Sequence, residues 1–135
     1  MPDVHAKLSA SGAKKWIACP GSVLLEASVQ DKPSAYAAEG TTAHALGEAK
    51  IRLATKEYTK AKYHKAIKDL EIDDEMEEYT DAYRDFVIEQ LNQAKQRTAD
   101  AILLLEQRLD FSKYVPEGFG TGDCVIISDR RLQII

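Results

Sequence analysis

Between residues 73 and 97, apolar side chains recur at three- and four-residue spacings: Met76, Tyr79, Tyr83, Phe86, Val87, Ile88, Leu91 and Ala94. That period predicts one long amphipathic helix. Acids crowd its opening turns, and Lys95 and Arg97 lie near its end, as the helix dipole favours. The period then changes. Residues 101–109 form a short, nearly continuous apolar run that reads as a strand. Pro116 and a glycine cluster interrupt it. Val125, Ile126 and Ile127 begin a second strand, and a polar turn over residues 128–131 leads to a third at Leu132. Helices first and strands afterwards predict an α/β fold of α+β-like order, in which N-terminal helices lead into a mixed sheet. The expectation is a single partial domain over residues 1–135, helical over 1–98 and opening a sheet over 99–135.

The remaining elements are shorter. Ser9 and Ser11 are N-cap candidates for a helix through Lys14, Trp16 and Ile17. Pro20 is placed to start another helical turn over residues 22–27. Residues 30–38, with Asp31, Pro33 and Ser34, read as a loop. Helix resumes near Thr41, with Thr41 or Thr42 as its cap and Ala43, His44, Leu46, Gly47, Ala49, Ile51 and Leu53 as its stripe. Residues 55–70 read as loop plus a short helix.

Composition bounds the function. With 135 residues, 44% hydrophobic and 30% charged, the chain can bury a core. It contains no apolar run long enough to span a bilayer. No apolar signal core stands at the N-terminus, so a cytoplasmic location is the expectation. Cys19 and Cys124 are far apart and read as free thiols. A net charge of -4 argues against gripping nucleic acid by bulk charge, though not against an acidic metal site. One basic stretch stands out, with Lys56, Lys60, Lys62, Lys65, Lys68 and His64. It is followed at once by a run of acids, and a solvated mixed-charge surface is the plainer reading.

Three side chains could carry chemistry. Asp123 follows Gly118, Gly120 and Gly122 at the head of its apolar strand, where an acid can bind a hard cation. A turn aspartate bonding nearby amides is the alternative. Glu106 interrupts an apolar strand. It either faces solvent, pairs with Arg108, or serves a metal, because a buried unpaired carboxylate is costly. His44 is expected in the first turn of its helix, pointing inward, as a metal or phosphate ligand or as a capping or packing residue. Cys124 reads as a small core residue and Trp16 as a packing aromatic.

The order of these pieces is more specific than any one of them. Leu8-Ser9-Ala10-Ser11 through Trp16 and Cys19-Pro20, then Gly40-Thr41-Thr42-Ala43-His44, then Glu106 in a strand, then Gly120-Thr121-Gly122-Asp123 with a hairpin, resembles the RecB-like branch of the PD-(D/E)XK nuclease superfamily. Within that branch it resembles a phage- and prophage-associated family of uncharacterised proteins. The resemblance implies a restriction-endonuclease-like core, with His44 and Asp123 as metal ligands and Glu106 as a supporting acid. It implies Asp123 and Glu106 as catalytic residues, Mg²⁺ or Mn²⁺ as cofactor, and DNA as substrate of a phage-type exonuclease or recombination nuclease. Cys19 matches an early cluster cysteine of some relatives, but without three late ones no iron–sulfur cluster is expected.

The acid-x-Lys motif of that superfamily would follow the strand opening at Leu132, and the sequence stops first. The expectation is therefore an N-terminal part of a nuclease domain, C-terminally truncated and inactive alone, open to self-association through an exposed sheet edge. The alternatives are a non-catalytic nucleic-acid- or protein-binding remnant of the fold and a small helical interaction protein.

Overall fold

A computed structural model describes residues 6–30, 32 and 34–135. Five helices precede three strands: α1 (Ala13–Ala18), α2 (Ser22–Glu26), α3 (Ala35–Ala54), α4 (Lys60–Ile67), α5 (Asp74–Arg97), β1 (Ile102–Asp110), β2 (Phe119–Ser128) and β3 (Arg131–Ile134). The strands form one sheet of order β1-β2-β3. The class is α+β, and the three strands form a small antiparallel sheet, not the expected mixed one. The chain divides into two compact units.

The larger unit comprises Ser34–Leu105 and Asp123–Ile135. Its longest element, α5, follows the sequence pattern closely. Asp73 caps it, its side chain accepting from the Met76 amide at 2.7 Å. Asp74, Glu75 and Glu77 occupy the first turn and Lys95 and Arg97 the last. Met76, Thr80, Val87, Leu91 and Ala94 are its buried face. The core joins Ile51 of α3 to Val87, Leu91 and Ala94 of α5 and to Cys124 and Ile126 of β2. Burying each larger aliphatic side chain there contributes about 1.5–3 kcal/mol.

The start of α3 departs from the sequence reading. Ser34 is its cap, accepting from the Ala37 amide at 3.0 Å, so helix replaces the expected loop over 35–38. Asp31 and Pro33, two residues behind that expectation, lie outside the described residues. Thr41 and Thr42 are not caps. Their hydroxyls donate back to the Ala37 and Ala38 carbonyls, as threonines inside a helix do. Gly40, expected to end that loop, lies inside the helix, where one interior glycine costs only about 1 kcal/mol against alanine. A capped twenty-residue helix absorbs that.

Thr59 caps α4, accepting from the Lys62 amide at 3.2 Å. In the hairpin, Val125 pairs with Ile134 and Ser128 with Arg131. Two residues, Asp129 and Arg130, make the turn, with φ of 44° and 59°. Positive φ at both positions matches the right-handed twist of the flanking strands.

The smaller unit contains α1, α2 and Glu106–Gly122. Ser9 accepts from the Gly12 amide at 3.1 Å, one turn ahead of α1, while the N-cap position itself is Gly12. Trp16 is fixed by its indole N–H, which donates to the Ser9 carbonyl at 2.9 Å. Lys15 and Glu26 pair between α1 and α2. Phe111 and Gly118 close a loop through an amide–carbonyl bond of 3.1 Å. A Cβ at Gly118 would stand 2.7 Å from the Phe111 ring and the Val115 carbonyl, so only glycine fits.

Candidate metal centre

Within the larger unit, α3 and the part of β2 that begins at Asp123 hold the site. His44 lies in the middle of α3, not in a first turn, because the helix begins at Ala35. The following Leu46, Gly47, Ala49, Lys50 and Ile51 are buried and anchor that stretch of helix. His44 itself is exposed, with 47% of its side chain accessible, and not turned inward as the sequence suggested.

Asp123 is the fifth residue of β2, not its first. The glycine run was read as a turn delivering the acid. Instead Gly120, Thr121 and Gly122 belong to the strand, whose pairing in the sheet outweighs the weak strand preference of glycine. Asp123 is followed by Cys124, Val125 and Ile126, all buried, which fix its backbone. Burial pushes the Cys124 thiol up to about 11, with the Asp123 charge adding to the effect, so Cys124 is a core residue and not a nucleophile at neutral pH.

The two side chains meet. His44 Nδ1 lies 3.4 Å from Asp123 Oδ2, and both are about half exposed. Among the described residues, the Asp123 carboxylate accepts no turn amide, and the ionisable side chain facing it is His44. A separation of 3.4 Å is long for a good N–H···O bond. It matches the roughly 3.3 Å that separates two ligands about 2.0–2.1 Å from a tetrahedral cation. Octahedral ligands at right angles would stand about 3 Å apart. One imidazole nitrogen and one carboxylate oxygen, open to solvent and held on a helix and a strand, therefore fit a shared divalent cation.

Glu106 lies within β1 and is partly buried. Its φ is 50°, left-handed and unusual for a non-glycine residue in a strand. Arg108, two residues on, sets its guanidinium 4.1 Å over the Phe119 ring.

Two features escaped the sequence reading. Lys50 is buried on the apolar face of α3, its Nζ donating to the Glu77 carbonyl at 3.0 Å and to Asp81 Oδ1 at 2.8 Å. The signal was a lysine in register with Leu46 and Gly47. Gly47 also escaped. A Cβ there would meet the Tyr83 ring at 3.1 Å, so Tyr83 packs against α3 one turn beyond His44.

The chain is of the α+β class, and an imidazole and a carboxylate converge on its larger unit. A family model for a protein of unknown function, DUF2800, matches residues 5–135, and the chain belongs to that family. No solved structure matches it. No helix among the described residues is long and apolar enough to cross a membrane.

Proposed function

We propose that this chain carries the metal-binding part of a divalent-cation-dependent DNA nuclease of the PD-(D/E)XK type. The observation that carries the reading is the convergence of His44 and Asp123, distant in sequence, to 3.4 Å on exposed faces of two well-anchored elements. Glu106 is the supporting acid that the resemblance to that superfamily implies. An imidazole beside a carboxylate favours Mn²⁺ over Mg²⁺, because nitrogen ligands suit the later metal better.

Each residue has a distinct task. Asp123 supplies the anionic oxygen that holds the cation, and its strand keeps that oxygen fixed. His44 supplies a ring nitrogen as the second ligand. When bound, the cation polarises a phosphodiester oxygen and lowers the pKa of coordinated water.

Activity is tested with the product of the whole reading frame on linear duplex and single-stranded DNA, with Mn²⁺ or Mg²⁺. Metal-dependent cleavage that Asp123→Asn abolishes is the expected result. Manganese binding without cleavage of either substrate would favour the non-catalytic binding remnant of the fold.

A further inference from the structure

We infer that the exposed face of α4 with the preceding loop is a nucleic-acid surface that contacts phosphates. The choice of partner rests on the nuclease reading; the surface itself does not. Residues 56–68 hold five lysines and one glutamate, a strongly positive segment in a chain of net charge -4. Helical spacing sets Lys60, His64 and Lys68 in one row with Lys65 beside it. All four are exposed, while Tyr63 and Ile67 on the other side are half-buried.

What separates this patch from an ordinary mixed surface is the density of unpaired positive charge in one short segment. In the same unit Lys50 is paired with Asp81 and Glu77, Arg52 with Glu48 and Glu57, and Arg84 with Asp81 and Asp85, while Lys95, Arg97, Arg130 and Arg131, spread over the end of α5 and the hairpin, have no carboxylate partner among the described residues. Among the described residues, Lys56, Lys60, Lys62, Lys65 and Lys68 pair with no carboxylate. The one glutamate in the segment, Glu57, is taken by Arg52. Among the described residues no ion pair joins these lysines to the acids that follow, Asp69 and Glu71 included, and Asp73 is taken as the cap of α5. Lys62 lies 4.4 Å over the Tyr58 ring, adding an aromatic surface beside the cations. Rows of unpaired lysines bind phosphates by releasing counterions and read no sequence.

The test is fluorescence anisotropy of a labelled 20-base-pair duplex, titrated with the 135-residue chain in EDTA across a range of salt concentrations. A triple variant, Lys60→Gln, Lys65→Gln and Lys68→Gln, is compared with a control that removes equal charge at Lys7, Lys14 and Lys32. Thermal melting verifies that both variants fold. The expected result is wild-type binding that weakens steeply with salt. The triple variant should bind at least about tenfold more weakly, with a salt slope smaller by about 3, and the control should change little. The inference is overturned if wild type does not bind, if both variants weaken equally, or if the chain binds anionic phosphatidylserine vesicles and not DNA. Because EDTA removes metal, DNA binding without manganese binding would preserve this surface and sink the proposed metal centre.

Discussion

The ammonium of Lys50 donates to the Asp81 carboxylate at 2.8 Å, joining α3 to α5 from a side chain that is 4% accessible. This bond, followed by the Lys50 charge, holds the Asp81 carboxyl below its ordinary 3.8. A depressed folded-state value stabilises the fold above the unfolded pKa and is lost as pH falls through the folded one. The window therefore lies below about pH 4. Lys50→Met should lower stability at neutral pH by about 1–3 kcal/mol and flatten the acid limb of the stability–pH curve. Urea melts from pH 2 to 7 decide it. An unchanged acid limb would show that the pair does not couple folding to Asp81.

The two glycines of α3 should respond oppositely to alanine. Gly40 has open space around its Cβ position, so Gly40→Ala should stabilise by about 0.5–1 kcal/mol through helix propensity. At Gly47 the new methyl would stand 3.1 Å from a Tyr83 ring packed on the core, so Gly47→Ala should destabilise by about 1 kcal/mol. Thermal melts of the two variants check this. A gain at both positions would mean that Tyr83 gives way freely.

Asp129 and Arg130 hold positive φ without glycine. Replacing them by Asn-Gly, the pair that this two-residue turn favours, should raise stability by about 0.5–1 kcal/mol. Chemical denaturation measures the gain. A loss would show that the turn is not of the type its torsions indicate.

Much of the fold was legible because its strongest signals are local. The period from Met76 to Ala94 and the acids of its opening turns marked α5, and the polar turn before Leu132 marked the hairpin. What was misread depends on context. Ser34 capped a helix whose first turn looked like loop, and this moved His44 from a terminus to a helix middle. Gly120 and Gly122 looked like turn residues because sequence does not display the neighbouring strand that pairs with them. Order along the chain suggested that His44 and Asp123 belong together, but only packing sets their separation. The buried Lys50 and the Gly47–Tyr83 contact are visible only once α3 and α5 are placed side by side.

The central claim is that His44 and Asp123 share a divalent cation. Titration of the 135-residue chain with Mn²⁺, followed by the loss of the free-ion electron paramagnetic resonance signal, tests it most directly. One site is expected, with affinity reduced at least about tenfold in His44→Ala and in Asp123→Ala. Manganese affinity unchanged by both His44→Ala and Asp123→Ala, in variants that melt as wild type does, would contradict it.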